Sequence, residues 1–417
     1  MAAAVRRLSI TIFQRERLMG FLFAALGLAM IFLFVPSTES GQRATFVLNF
    51  GQAIKIPDLA LPVRSTIYLL GLLSAFLGGW QLARGFKAAN LILGLIIFLF
   101  IFAFLTWGAR GRAFSLTGML VSTLLRATPI ALGALSGVWC ERAAVINIAI
   151  EGMMLSAALT AVVAASATGN LFVGVLAAIL TGALLAALLA VLSIRFQVDQ
   201  IVSGTVINIF AAGATSFLSA RFLTIYQDLN AAPTFPPIPI PLLSRIPVLG
   251  PVFFATNFVI YLMLVLMGAT HLILFYTRWG LRSRAVGEHP LAADTLGIDV
   301  FRTRYINVII GGAIAGLGGA YFTLVSAGRF DELMTAGKGF IGLAAMIFGK
   351  WTPFGAFASS LIFGFADSLQ VKLAILQVPI PSEFLLMAPY LATMIVLAGV
   401  VGRAIPPAAD GQPYEKQ

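Results

Sequence analysis

The stretch VINIAIEGMM (145–154) carries two polar side chains of the kinds that bind small solutes, within an apolar surrounding. Asn147 and Glu151 are four residues apart, a spacing that places both on one face of a helix. A helix starting at position 143 would place Glu151 about 12 Å along its axis, near mid-bilayer. A carboxyl group there is costly unless it faces a cavity or a partner, which predicts a role in solute passage. Bracing of neighbouring helices, with Arg126 or Arg142 as partner, is the structural alternative.

The stretch VDQIVSGTVINIF (198–210) has a similar character. Ser203 and Asn208 lie within it, and hydroxyl and amide groups suit hydroxyl-rich or amide-bearing solutes. The same groups suit packing between helices equally well. We therefore predict Asn147, Glu151, Ser203 and Asn208 as candidates for a translocation path.

A third polar stretch, AVGEHPLAADTLGI (285–298), predicts a short helix outside the membrane. Glu288 suits a helix N-terminus, Pro290 suits a first turn and Gly297 suits a helix end. Four apolar positions would give this helix an edge with nothing in the membrane to cover it, so we expect it to bind a protein partner. The edge consists of Leu291, Ala292, Leu296 and Ile298.

The composition requires that these stretches be positioned by membrane-spanning helices. Hydrophobic residues make up 60% of the 417 residues and charged residues only 10%, with a mean hydropathy of +0.98. An ordinary soluble domain has about 25% charged residues. The formal net charge of +11 does not indicate nucleic-acid binding, because the basic residues lie singly between apolar runs. It fits the enrichment of Lys and Arg on the cytoplasmic side of a membrane.

The chain is expected to be an all-α, polytopic membrane protein with about 10–12 transmembrane helices, including short or re-entrant segments. Alternating crossings from a cytoplasmic N-terminus bring most basic loops and the C-terminus to the cytoplasmic side, if 339–349 counts as a crossing. Spans are expected near 18–35, 63–83, 88–108, 114–139, 143–165, 171–194, 199–220, 252–276, 305–325, 353–372 and 383–402.

Enzyme classes are disfavoured by the motifs that the chain lacks. No GxxxxGK[ST] phosphate-binding loop occurs, and the two histidines, His271 and His289, do not form an HExxH pair. A single cysteine, Cys140, excludes an internal disulfide framework. We expect a transport protein without catalytic residues, metal or cofactor of its own.

Five segments together resemble the permease subunits of bacterial ABC importers for simple sugars and nucleosides. More narrowly, they resemble the nucleoside branch that works with basic-membrane-lipoprotein-type binding proteins. The segments are SGVWCERAAVINIAIEGMML (136–155), VDQIVSGTVINIFAAGATSFL (198–218), PIPIPLLSRIPVLGP (237–251), TRWGLRSRAVGEHPLAADTLGIDVFRTRY (277–305) and KGFIGLAAMIFGKWTPFGAFASSLIFGFADSL (338–369).

The resemblance implies partners and a cargo. A cytoplasmic ATPase with two nucleotide-binding cassettes would bind ATP and Mg, a second permease would complete the path, and a lipoprotein would deliver a nucleoside or related solute across the inner membrane. The family's coupling helix, which contacts the ATPase, corresponds to Glu288, Pro290, Leu291, Ala292, Ala293, Asp294, Leu296, Gly297 and Ile298.

The expected organisation is a permease domain at 114–402, preceded by extra spans in 1–113 that do not match the family and followed by a cytoplasmic tail, 403–417. The proline-rich loop 233–251 is expected outside, as a docking surface for the lipoprotein or as a stiff connector. Alternatives are an ABC permease for a simple sugar or branched-chain amino acid, a secondary transporter coupled to protons through Glu151, and a membrane scaffold.

Overall fold

The computed structural model describes residues 2–51, 55–86, 88–376 and 404–416, together with positions 384 and 387. Within these residues, ten helices are long and apolar enough to cross a membrane, and an eleventh apolar helix is shorter. The expectation of an all-α polytopic protein is therefore confirmed. The expected span 383–402 lies outside the described residues, apart from positions 384 and 387.

The chain forms two compact units. The first contains residues 1–119, 245–251 and 370–385. Its long helices are α1 (Ala2–Ala29), α2 (Val63–Ala83) and α3 (Ala89–Gly108).

Helices α1 and α2 approach closely at glycines. A methyl group at Gly27 would lie 2.5 Å from the carbonyl oxygen of Gly71, and one at Gly78 would lie 2.5 Å from the backbone N of Ala24. The hydroxyl of Ser74 also donates to the carbonyl of Phe23 at 3.0 Å. Such close approach is how helices associate in lipid, where hydrophobicity does not drive their packing.

A small sheet completes the first unit. Strand β1 (Arg43–Val47) lies between β2 (Leu59–Pro62), to which it is antiparallel, and β3 (Ala113–Ser115), to which it is parallel. Phe46 of the central strand is fully buried and stacks on Phe102 at 5.4 Å between ring centroids.

The second unit contains residues 120–244, 252–369 and 386–417. Two-residue strands β4 (Ile238–Pro239) and β5 (Ala255–Thr256) pair within the loop before α8. Its helices are α4 (Leu116–Glu141, which begins in the first unit), α5 (Ile150–Thr168), α6 (Leu171–Ala190), α7 (Gln200–Leu218), α8 (Phe258–Tyr276), α9 (Arg278–Glu288), α10 (Pro290–Thr295), α11 (Val300–Tyr321), α12 (Lys338–Phe348) and α13 (Pro353–Ile375).

Helix α11 forms the centre of the second unit because its glycines admit two neighbouring helices. A methyl group at Gly316 would overlap the carbonyl oxygen of Ala178 in α6. One at Gly319 would overlap the carbonyl oxygen of Met154 in α5. The spaced glycines of 311–322 thus serve helix packing.

One expected span begins later than the sequence pattern predicts. Residues 143–165 were expected as one helix, whereas α5 begins at Ile150 and the chain from 142 to 149 is turn and irregular backbone. Ala144 has φ +64°, which a continuous α-helix does not accommodate. The other expected spans within the described residues agree with the observed helices to within six residues at each end.

Candidate functional site

The irregular segment 142–149 is held by side chains from α7, about 55 residues away. The backbone N–H of Ile146 donates to Gln200 Oε1 at 2.7 Å. Asn208 donates to the carbonyl of Ile148 at 2.9 Å and accepts from the N–H of Gly152 at 2.7 Å. These bonds satisfy backbone groups that an unbroken helix would satisfy internally.

This break corrects one sequence-based expectation. Asn147 lies before the start of α5, so it does not share a helical face with Glu151. Asn147, Glu151 and Asn208 nevertheless lie around one junction, since Asn208 bonds residues on both sides of the α5 start.

Glu151 accepts hydrogen bonds from the segment that begins α12. Its Oε1 accepts from the hydroxyl of Thr335 at 2.7 Å and from the N–H of Gly337 at 2.8 Å. Its Oε2 accepts from the N–H of Gly339 at 2.6 Å. These N–H groups have no partner within the helix, and the positive end of the helix dipole favours a carboxylate. Neither Arg126 nor Arg142 is among these donors.

The start of α12 also carries an ion pair that the sequence analysis missed. Lys338 Nζ pairs with a carboxylate oxygen of Asp367 in α13, and the two side chains are only 20% and 13% exposed. The signal available in the sequence was one basic and one acidic residue, each within a separate apolar stretch. A buried ion pair depends on both partners, because removing one leaves the other uncompensated.

Two predicted path residues have polar atoms without a hydrogen-bond partner among the described residues. Asn147 is fully buried, and its amide nitrogen lies 3.5 Å from Ser136 Oγ, but its Oδ1 has no partner. Ser203 is 2% exposed and its hydroxyl has no partner. Such atoms are expected to bind water or a polar ligand.

The depth of the junction can be measured along α11. Cys140, at the end of α4, lies beside Gly311, whereas Met154 of α5 lies beside Gly319. Glu151 is one turn before Met154, so it lies beside the middle of the span Val300–Ala327.

The segment from 328 to 351 runs between the two ends of α11. Near the C-terminal end of α11, the N–H of Phe330 donates to Asn230 Oδ1 at 2.6 Å. Near its N-terminal end, Arg142 Nε donates to the carbonyl of Trp351 at 2.9 Å, and the Arg142 carbonyl lies against Gly287. Residues 328–337 are irregular and α12 forms the rest of this passage. The segment is therefore irregular backbone followed by a short helix, and together they extend between the two ends of α11.

The polar stretch 285–298 forms the end of α9, the short helix α10 and a turn before α11. Pro290 is the first residue of α10, and His289 caps the helix by accepting from the N–H of Ala292 at 3.1 Å. Glu288 was expected at the start of this helix but is the last residue of α9. Its carboxylate accepts from the N–H of Ala408 at 3.2 Å.

The apolar edge of α10 is narrower than the sequence predicts. Leu291 is 40% exposed and Leu296, just after α10, is 82% exposed, and Ala292 is also exposed. Ile298 was expected in the edge but is half-buried, against a cluster that contains Ala293 and Val300. The exposed edge therefore consists of Leu291, Ala292 and Leu296.

Within the described residues, no group of three or more His, Cys, Asp or Glu side chains could hold a metal ion. Cys140 is a free, buried thiol. The polar groups described above can bind or position an uncharged polar molecule, and among these residues we find no arrangement of a nucleophile with an adjacent base.

Comparison with known proteins places this geometry in context. Residues 119–404 match the family model described as branched-chain amino acid transport system/permease component. The chain is 42% identical to the guanosine ABC transporter permease protein NupQ of Bacillus subtilis, over 71% of this chain and 95% of that protein.

Two further relatives are a nucleoside permease and a putative glucose permease. The nucleoside ABC transporter permease protein NupC of Lactococcus lactis is 42% identical over 72% of this chain and 96% of its own length. The putative glucose ABC transporter permease protein TsgC13 of Haloferax volcanii is 32% identical over 61% of this chain and 77% of its own length. No solved structure matches the chain.

Proposed function

The chain belongs to the branched-chain amino acid transport system/permease component family of ABC importer permeases, and from that premise we propose that its cargo is nucleosides or related small solutes. The observation that carries the choice of cargo is the 42% identity to two nucleoside permeases across 95% and 96% of their lengths. The chain is a multi-pass membrane subunit, and ATP hydrolysis is performed by a separate subunit of such importers.

The proposed path passes the junction between the start of α5 and the start of α12. Irregular backbone at membrane depth is tolerated where it is buried in protein or lines a cavity, and both elements begin after such backbone. The unpartnered Oδ1 of Asn147 and hydroxyl of Ser203 would bind the ribose hydroxyls or base amides of the solute. Glu151 and Asn208 would hold the two helix starts in place.

The hydrogen bonds of Glu151 favour ATP hydrolysis over a proton gradient as the energy source. Both of its carboxyl oxygens accept hydrogen bonds from donors in 335–339, two of which are backbone N–H groups. A residue that carries protons across the membrane must exchange its proton with each side in turn. A carboxyl group anchored at the start of a helix is suited instead to positioning that helix.

We assign the N-terminal end of α11 and both chain termini to the cytoplasm, and the protein to the bacterial inner membrane. Exposed arginines at this end, Arg278, Arg282 and Arg302, support the assignment. The exposed edge of α10 would then contact a cytoplasmic ATPase with two nucleotide-binding cassettes, which binds ATP and Mg. A second permease and an extracytoplasmic lipoprotein would complete the importer.

Uptake by cells tests the cargo. Cells that lack the gene for this chain should lose the uptake of labelled guanosine at nanomolar to micromolar concentration, and the restored gene should recover it. An excess of unlabelled uridine should compete, whereas glucose and leucine should not. Competition by glucose or leucine alone would contradict the nucleoside assignment and favour a sugar or amino acid permease.

A substitution at the exposed edge tests the ATPase contact. Leu296→Asp introduces a charge into the contact and should reduce co-purification of the ATPase, whereas Leu296→Met keeps an apolar side chain of similar volume and should not. Equal recovery of the ATPase and equal uptake in both variants would contradict the coupling role of α10.

Thiol labelling tests on which side of the membrane the loop 233–251 lies. A cysteine placed at Leu242, an exposed residue of the proline-rich loop, in a Cys140→Ser background should react with an impermeant reagent in intact cells. Reaction only after the membrane is opened would reverse the topology and remove the lipoprotein docking role of 233–251.

A further inference from the structure

The C-terminal tail, residues 404–416, is held against the N-terminal end of α11. The N–H of Ala409 donates to the carbonyl of Gly287 at 3.0 Å. Arg304, which is only 2% exposed, donates from Nη1 to the carbonyl of Gln412 at 3.0 Å. With the bond from Ala408 to Glu288, the tail is therefore bonded to both α9 and α11.

An aromatic residue packs the end of the tail beneath α10. Tyr414 is 4% exposed and forms a buried cluster with Val286, Ala293 and Val300, one residue from each of α9, α10 and α11. Its ring meets that of Phe301 edge-on at 5.2 Å between centroids. Ala293 is thus covered by the tail, while Leu291 and Leu296 remain exposed.

The middle of the tail reaches the irregular segment 142–149 before α5 and, through Glu141, the C-terminal end of α12. Gly411 lies so close to Ile146, in the irregular segment 142–149, that a methyl group there would be 2.7 Å from Ile146 Cδ1. The carboxyl group of Asp410 interacts with that of Glu141 at the end of α4. Glu141 in turn accepts from Trp351 Nε1 at 2.5 Å, three residues after α12.

We propose that the tail is a positioning element, which fixes α10 to the ends of α4 and α12 and so transmits movement of α10 to the junction at Glu151. The proposal rests on the proposed function only in that α10 contacts an ATPase. The tail covers the inner side of α10 and leaves its exposed edge free, so it does not compete with that partner. Its contacts join α10 to the segment that precedes α5 and, through Glu141, to the C-terminal end of α12, whose other end lies at the path.

The first test measures α10 in the purified chain and needs neither substrate nor ATPase. Hydrogen exchange of residues 289–298 should accelerate by at least about tenfold in Tyr414→Ala, because opening of α10 no longer disrupts a buried cluster. Lys416→Ala, an exposed position of the same tail, is the matched control and should exchange like the unaltered chain. Equal exchange in Tyr414→Ala and the unaltered chain would overturn the proposal.

The second test measures coupling in the complete importer in proteoliposomes. Tyr414→Ala and a truncation that removes 407–417 should keep the ATPase bound but lower the solute molecules taken up per ATP hydrolysed by at least about threefold. An unchanged ratio would overturn the proposal. Loss of the ATPase from either variant would also overturn it, because the tail would then be part of the ATPase contact itself.

The two tests separate this proposal from the cargo assignment. If the unaltered importer takes up no nucleoside, the proposed cargo fails, yet the exchange of 289–298 still decides whether the tail holds α10. If the truncated chain does not fold, Tyr414→Ala provides the same comparison with one side chain altered.

Discussion

Two glutamates of the second unit, Glu151 and Glu141, occupy opposite kinds of surroundings. Glu151 accepts from one hydroxyl and two backbone N–H groups at the start of α12. Glu141 is 6% exposed, accepts from the indole of Trp351, and faces a second acid, Asp410. The first is bonded mainly by donors fixed in the backbone, whereas the second is bonded by one indole and faces an acid of the C-terminal tail. One end of α12 is thus anchored, and the other, which we call the adjustable end, is linked to the tail.

The largest effect is expected from Glu151→Ala. Removing the carboxyl group leaves the N–H groups of Gly337 and Gly339 without this acceptor, at a cost of about 1–3 kcal/mol for each group that stays buried. Uptake should fall by about tenfold or more, because each 1.4 kcal/mol corresponds to a factor of ten.

Glu151→Gln is the control variant, because it keeps the size of the side chain and one of its two acceptor oxygens. Its carbonyl oxygen can still accept from Thr335 and Gly337, but its amide would face the N–H of Gly339, so uptake should be intermediate. Full uptake by the Ala variant would mean that the carboxyl group does not anchor α12. Uptake driven by a proton gradient without ATP, and abolished by Gln, would instead support a secondary transporter.

The second effect concerns the ion pair beside this anchor. Lys338→Met should destabilise the chain by about 3–5 kcal/mol, because it leaves Asp367 uncompensated in a largely buried position. Adding Asp367→Leu should recover most of that loss, since an apolar pair of similar volume is often neutral or stabilising. Thermal unfolding in detergent measures both variants. If the double variant is no more stable than Lys338→Met, Lys338 does not stabilise the chain through its ion pair with Asp367.

A smaller effect is expected at the adjustable end. Trp351→Phe keeps an aromatic ring but removes the indole donor to Glu141, with a cost of about 1–3 kcal/mol. Its stability loss should be smaller than that of Lys338→Met, and α10 should exchange hydrogen faster in this variant. A loss equal to that of Lys338→Met would remove the distinction between the two ends.

The smallest expected effect is a pH dependence of the docking of the tail against α9 and α11. Burial is the main cause that raises the pKa of Asp410 from 3.8 to about 6, while Arg304 of α11, Glu141 of α4 and the N–H of Gly411 partly offset it. At a pH between these two pKa values, the carboxyl group of Asp410 is ionised when the tail is released and protonated when the tail is docked. Docking is therefore strongest below about pH 4 and is progressively weakened as the pH rises through about 6.

A spin label at position 416, in a Cys140→Ser background, measures this dependence. Its mobility should increase between about pH 4 and pH 7, and Asp410→Asn, which does not titrate there, should reduce the increase. An increase of the same size in Asp410→Asn would assign the dependence to another group.

The helices were largely predictable from sequence, because a long apolar run is itself the sequence pattern of a membrane-spanning helix. The α2 range, 63–83, agrees with the expected one, and the short apolar segment 339–349 corresponds to α12. The break before α5 was not predictable, since VINIAIEGMM has no proline and its one glycine, Gly152, lies inside α5. Its irregular backbone is stabilised by Gln200 and Asn208, and bonds across more than fifty residues leave no local pattern.

The candidate site was predictable in its residue types but not in its pairings. Glu151 and Asn208 were recognisable as polar groups at membrane depth, whereas the donors to Glu151 lie more than 180 residues further along the chain. The tail gave no signal either. AIPPAADGQPYEKQ resembles an unstructured terminus, and only the fold reveals that Tyr414 and Ala409 are buried.

The interrupted segment 328–349 also constrains how the protein is made. Helix α12 has 11 residues and spans about 16 Å, roughly half the hydrocarbon thickness, and the preceding residues expose peptide groups that lipid cannot satisfy. The membrane insertion machinery cannot release such a segment into lipid as it releases an ordinary span. The N–H groups of this segment need the carboxyl oxygens of Glu151 in α5, which is synthesised earlier, so the segment must pack against α5 as it leaves the insertion machinery.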